Sequence, residues 1–182
     1  MSDRDAVDLI REKSFMGQDF LVWLWFKADS QGDVVSVLDG RDVGISFERF
    51  MTLEGGEGDA HETVTCRGLR AELQEAKTAL QSGKKITKAH IRLSLDDLQW
   101  KFTIDAATLD ISSLKVPKTV EAGAEEGDSL SFEGRVLERT YMIEQAVEAV
   151  DLLFKTYLYT RLDAAKWAEE KRALREWIFR NP

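Results

Sequence analysis

The strictest alternation of apolar and polar residues in the chain lies within residues 83–105. Successive side chains of a β-strand point to opposite faces, so this period of two predicts two strands, each with one apolar and one polar face. The pair Asp96-Asp97 divides the segment and is the expected two-residue turn of a β-hairpin. On the apolar side, that turn would place Leu93 opposite Trp100.

The polar face of this predicted hairpin carries a row of positive charges. The same register places Arg92 opposite Lys101, and like charges in direct opposition are unfavourable unless solvent or a bound anion separates them. No acidic residue lies between Gly83 and Leu95. Together with two arginines upstream, the predicted phosphate-binding residues are Lys84, Lys85, Lys88, Arg92, Lys101, Arg67 and Arg70. Solubilising charges on the solvent side of a sheet would give the same pattern, so both interpretations stay open here.

The remaining pattern predicts an α+β fold, with an antiparallel sheet, helices packed on one of its faces and a C-terminal helical pair. Residues 18–27 are nearly all apolar, which fits a buried helix or a buried strand, and we favour the helix. Residues 106–118 show no clear period and are expected to be irregular. Further strands and one helix are predicted at 34–38, 43–54, 62–67 and 69–82, the last of these being the helix.

The domain organisation follows from one acidic, glycine-containing segment. Residues 121–128 have no large apolar side chain, and this pattern predicts a flexible linker at 119–128 between an α+β domain at 1–118 and a helical segment at 129–182. We expect the helical segment to pack on the sheet or on a partner. Its first helix carries one apolar stripe, formed by Val136, Ile143, Val147, Val150, Phe154 and Tyr157. Its second helix carries candidate interface residues, Trp167, Trp177 and Ile178.

The amino-acid composition limits the classes of protein to which this chain can belong. The 182 residues are 43% hydrophobic and 32% charged, which is ordinary for a globular protein with a real core. The formal net charge is −8, so any contact with nucleic acid must come from a local patch. No apolar run reaches membrane-spanning length, and the first residues do not resemble a signal peptide. We therefore expect no membrane partner and a cytoplasmic protein, associated with the nucleoid if it binds DNA.

No motif in the sequence points to catalysis. Phosphate-binding glycine loops, nucleophile elbows and dinucleotide-binding fingerprints are all missing from the chain. Cys66 is the only cysteine, and His61 and His90 are the only histidines, so a disulfide, a cysteine-based zinc site and a histidine-rich metal centre are not expected. We predict a protein that is not an enzyme and that uses no cofactor or metal.

Several segments resemble the C-terminal half of the RdgC family of recombination-associated proteins. They lie at 15–25, 67–73, 82–89 and 137–158, so the resemblance covers about residues 15 to 160. It implies a bacterial protein that binds DNA without marked sequence preference. Members of that family form ring-like dimers around duplex DNA and restrain the RecA recombinase. A typical member also has an N-terminal half that has no counterpart in this sequence, so ring closure is not implied.

The resemblance assigns roles to individual positions. Gly83, Lys84, Thr87 and Lys88 match the family's Gly-Lys-x-x-Thr-Lys pattern, and Arg67 falls where the family carries basic residues. The first hypothesis is thus a non-enzymatic protein that contacts DNA phosphates weakly and nonspecifically and modulates recombination. The alternative is an oligomerisation or protein-interaction module without DNA binding, in which the partner is a second copy or a recombination protein.

Overall fold

A computed structural model describes residues 16–56, 60–68, 73–117 and 132–180. These residues form four helices and six strands. In chain order they are α1 (Gln18–Ser30), β1 (Val34–Ser36), β2 (Asp42–Gly55), β3 (Glu62–Gly68), α2 (Leu73–Gln81), β4 (Lys85–Leu95), β5 (Leu98–Asp105), β6 (Ile111–Lys115), α3 (Phe132–Leu162) and α4 (Ala164–Phe179).

The six strands form one antiparallel sheet in the order β1-β2-β4-β5-β6. The strand β3 pairs with the second half of β2, beyond the residues of β2 that pair with β1. All strand pairs are antiparallel, and the helices pack on one face of the sheet. The predicted α+β class, with its C-terminal helical pair, is confirmed.

The register of the hairpin β4–β5 is the one that the sequence predicts. Leu95 pairs with Leu98, so the turn has two residues, and Leu93 lies opposite Trp100. Trp100 is completely buried on the inner face of the sheet. Its indole Nε1 also donates a hydrogen bond of 2.8 Å to the backbone carbonyl of Met142 in α3, which ties that helix to the sheet.

Helix α1 is the centre of the molecule. Every residue from Phe20 to Phe26 is buried, and a helix that is apolar all round is stable only when other elements cover it on all sides. α1 lies on β4, β2 and β1, and α3 and α4 cover its other side. The prediction of a buried helix for residues 18–27 is confirmed. Gly17 precedes it because a Cβ there would lie 1.7 Å from the carbonyl oxygen of Ala106.

Helices α3 and α4 close the core over α1. The Asp163 side chain caps α4 by accepting hydrogen bonds from the backbone N–H groups of Ala165 and Lys166. In α3, the buried residues begin at Ala146 and continue with Ala149, Leu153 and Tyr157. These residues belong to the same hydrophobic core as α1 and the sheet.

One element differs from the sequence-based expectation. Residues Ile111–Lys115 form the edge strand β6, within a segment that was expected to be irregular. The sequence did not predict this strand because its two large apolar residues, Ile111 and Leu114, are three positions apart and so break the period of two. Ser113 between them has a φ of +54°. The predicted linker at 119–128 lies outside the described residues.

Candidate functional site

The outer face of the hairpin places a carboxylate between its two opposed cations. Arg92 lies opposite Lys101, as predicted, and the Glu48 carboxylate from β2 contacts both. Its Oε1 lies 3.2 Å from Arg92 Nε, and its Oε2 lies 2.8 Å from Lys101 Nζ. Partial burial raises the pKa of Glu48, but the Lys101 hydrogen bond and the Arg92 charge outweigh it and hold that pKa below its ordinary value.

The other hairpin cations are also paired within the chain. Lys88 Nζ lies 3.4 Å from Asp105 Oδ2 on the neighbouring strand. Lys84 Nζ lies 2.7 Å from Glu62 Oε2, and the hydrogen bond from this lysine lowers the pKa of the Glu62 carboxyl. The positive charge that makes this surface attractive for a polyanion is therefore balanced locally.

The seven predicted phosphate-binding residues do not form one surface. Lys88, Arg92 and Lys101 lie on the outer face of the sheet. Arg67 is exposed and follows the buried Cys66 in β3, so strand alternation puts it on the same side. Lys85 reaches instead towards the helical layer, where its Nζ lies 2.7 Å from Asp19 Oδ1 of α1. Arg70 lies outside the described residues.

The predicted interface residues of α4 are used within the chain. Trp177 is only 4% exposed, and its ring packs edge-on against Trp25 at 5.0 Å between centroids. Its Nε1 donates a hydrogen bond of 2.6 Å to Asp29. Trp167 is half-buried under the guanidinium of Arg161, and Ile178 is also half-buried. Trp177 thus presents almost no surface to a partner.

The described residues contain no cluster of three or more His, Cys, Asp or Glu side chains that could hold a metal ion. Cys66 is buried, and the Nδ1 of His90 lies 3.1 Å from the Thr103 hydroxyl on the paired strand.

A second surface was not recognised in the sequence. Six of the twelve large hydrophobic side chains that are exposed lie in the first half of α3, and two of them, Phe132 and Leu137, are 74% and 71% exposed. Soluble monomers rarely expose contiguous apolar surface of this kind. The apolar stripe was visible in the sequence, but its pattern did not show that the chain itself covers only part of it. Phe132, Val136, Ile143 and Val147 share one side of α3 with Leu137 beside them, whereas Tyr141 lies on the opposite side of the helix.

No protein-family model matches this chain, and the search of curated proteins found no significant match. None of the described helices combines the length and apolar character that are needed to cross a lipid bilayer.

Proposed function

We propose that this protein acts by binding rather than by catalysis, and that its principal partner is a second copy of the chain. The observation that carries this proposal is the exposed apolar surface on the first half of α3, residues 132–147. α3 has 31 residues and is therefore about 46 Å long at 1.5 Å per residue. Its buried residues begin only at Ala146, so roughly half of the helix offers its apolar side chains to a partner.

The spacing of the exposed residues supports a helix–helix contact. Val136 and Ile143 are seven residues apart, and Val147 follows four residues later, which is the a/d spacing of a two-helix coiled coil. Phe132 and Leu137 then take the flanking g and e positions. Glu133 and Thr140 occupy polar a positions, and the Thr140 hydroxyl already donates a 2.9 Å hydrogen bond to the Val136 carbonyl.

Charge complementarity favours a parallel pair of identical helices. In that arrangement, the g residue of one helix faces the e residue five positions further along the other. Arg139 would therefore face Glu144 of a second copy, twice per dimer because of the two-fold symmetry. Within the described part of the chain, neither side chain has an ion-pair partner of its own. In a parallel pair, the same surface is thus self-complementary in charge.

Sedimentation velocity over a range of protein concentrations tests this proposal. We expect the wild type to form a dimer and the Val136→Glu/Ile143→Glu variant to remain a monomer with unchanged helix content by circular dichroism. The matched control is Tyr141→Glu/Tyr159→Glu, which places two charges on exposed positions of the same helix outside the stripe. A monomeric wild type, or an equal loss of dimer in the control, would contradict the proposal.

We propose DNA association as a second function, and the resemblance to the RdgC family supports placing it in recombination. The specific observation is that Lys88, Arg92, Lys101 and Arg67 share the outer side of the sheet. Ion pairs at such exposure contribute only about 0–1 kcal/mol, so phosphates can replace the carboxylates as partners. Because Glu48 and Asp105 offset two of these charges, the affinity should be low and should fall steeply with added salt.

Fluorescence anisotropy with a labelled DNA duplex at two salt concentrations tests the second proposal. Replacing Lys88, Arg92 and Lys101 together by glutamine should abolish binding at low salt. A control with the same change of charge replaces Lys155, Lys166 and Arg172, which are exposed on α3 and α4. If the hairpin variant binds as well as the wild type, or the control loses as much affinity, the outer face of the sheet is not the DNA-binding surface.

A further inference from the structure

A cleft opens on the helical side of the molecule, beside the start of β4. It has a volume of about 550 Å³ and lies where α1, the end of α2, the end of α3 and α4 meet. Ligand sites for small molecules commonly enclose about 300–1,000 Å³, so this volume suits a small ligand. The lining combines one aliphatic wall with several cations.

The cations outnumber the acids strongly in this cleft. Five basic residues line it, and Asp19 is the one acidic residue among the lining residues. Asp19 is already engaged by Lys85 at 2.7 Å, and Lys84 is paired with Glu62 at 2.7 Å. The five basic residues are Lys84, Lys85, Arg161, Lys171 and Arg175. An excess of this size attracts anions in a molecule whose net charge is −8.

Two of these cations lack a counter-charge in the part of the chain that the structure describes. Lys171 and Arg175 lie four residues apart on α4, where side chains are neighbours and like charges repel each other. Within the described residues, no carboxylate lies within 4.0 Å of either side chain. Glu170, next in sequence to Lys171, instead points to α1, where it pairs with Lys27 and accepts a hydrogen bond from Trp23. A bound anion would relieve the repulsion between Lys171 and Arg175.

One wall of the cleft is apolar. Val22 and Leu80 are its buried members, and Leu174 and Ile178 join it from α4, the helix that also carries Lys171 and Arg175. Trp167 adds an aromatic edge under the Arg161 guanidinium, which lies 4.5 Å from the ring centroid. A purely inorganic anion would leave this wall in contact with water.

We infer that this cleft binds a small amphipathic anion, in which a phosphate or carboxylate group is attached to an apolar chain or ring. Lys171 and Arg175 hold the anionic group, and the wall formed by Val22, Leu174 and Ile178 covers the apolar body. Charge-assisted hydrogen bonds fix the head group, and burial of the apolar body supplies additional affinity. This inference does not depend on dimerisation or on DNA binding.

Isothermal titration of the full-length chain with decyl phosphate, below its micelle-forming concentration, tests the inference. We expect saturable binding to one site per chain, and no comparable binding of inorganic phosphate or decanol. Lys171→Gln/Arg175→Gln should weaken binding about tenfold or more, because it removes charge-assisted hydrogen bonds. The control Lys166→Gln/Arg172→Gln removes two exposed charges from the same helix and should leave the affinity unchanged.

Several outcomes would overturn this assignment. They are the lack of saturable binding, an equal loss of affinity in the control, and inorganic phosphate that binds as tightly as decyl phosphate. Vesicles containing phosphatidylglycerol distinguish the sources of such an anion: a ligand taken from a membrane predicts cosedimentation that the double variant loses, whereas a free metabolite predicts binding of decyl phosphate alone. Saturable binding that persists in the monomeric Val136→Glu/Ile143→Glu variant would show that the cleft acts independently of the dimer.

Discussion

Two surfaces of this protein, the outer face of the sheet and the first half of α3, differ in how many of their side chains have partners within the chain. On the sheet, Arg92 and Lys101 share the Glu48 carboxylate, and Lys88 forms an ion pair with Asp105. On α3, large apolar side chains from Phe132 onwards remain exposed. A surface that is satisfied internally needs no ligand, whereas an uncovered apolar surface gains free energy from a partner. The helix is therefore the stronger candidate for an interface.

The largest expected effect is on the free energy of unfolding, and it distinguishes the buried half of α3 from the exposed half. Leu153 is 1% exposed, so Leu153→Ala should lower the free energy of unfolding by about 2–5 kcal/mol at any protein concentration. Val147 is 50% exposed, so Val147→Ala should lower it only at concentrations where the dimer forms. Urea denaturation at two protein concentrations measures both. Concentration-independent losses of equal size would show that both halves belong to the core of one chain.

A smaller effect is expected from the charges that flank the apolar stripe. Arg139→Glu should weaken the dimer by about eightfold to thirtyfold, because each of two symmetric pairs contributes roughly 0.3–0.5 kcal/mol and becomes similarly repulsive on reversal. Adding Glu144→Arg to the same chain should restore the wild-type dissociation constant, measured by analytical ultracentrifugation. Failure of the second substitution to rescue the first would argue against a parallel arrangement.

The smallest expected effect on stability concerns the outer face of the sheet. Glu48→Gln should lower stability at neutral pH by at most about 1 kcal/mol, because it leaves Arg92 and Lys101 in direct opposition. The pKa of Glu48 is lower in the folded chain, so its contribution is present above the ordinary carboxyl value of 4.5 and is lost as the pH falls through the folded pKa. Unfolding curves of both proteins should therefore converge in acid. A difference that persists there would assign the effect to packing.

The same variant connects this surface to DNA. Removing the Glu48 carboxylate frees two cations, so Glu48→Gln should bind duplex DNA more tightly than the wild type does at low salt. Unchanged affinity would separate the outer face of the sheet from any DNA binding that the protein shows.

Local patterns predicted much of the fold. The alternation around Asp96-Asp97 was enough to predict the hairpin register, because the side-chain period is two and the turn has two residues. The continuous apolar run at 18–27 predicted a buried helix. These features depend on neighbours in sequence, which is why the sequence alone contains them.

The pairing of charges and the covering of apolar residues depend on distant neighbours. Glu48 reaches Arg92 and Lys101 from β2, next to a register shift between Phe47 and Met51 that no local pattern indicates. The apolar stripe of α3 is visible in the sequence as one pattern from Val136 to Tyr157. Only the fold shows that Phe154 packs against Phe20 at 5.2 Å between ring centroids, whereas Val136 remains exposed.

Cysteine cross-linking at Ile143 tests the central claim most directly. In a parallel, in-register pair, the two copies of this d residue meet across the two-fold axis at a distance that a disulfide can span. Cys66 is buried and can remain in the chain. Under mild oxidation, Ile143→Cys should give a covalent dimer, and Tyr141→Cys, which is exposed on the same helix outside the stripe, should not. A monomeric Ile143→Cys protein, or equal cross-linking at both positions, would contradict a dimer built on α3.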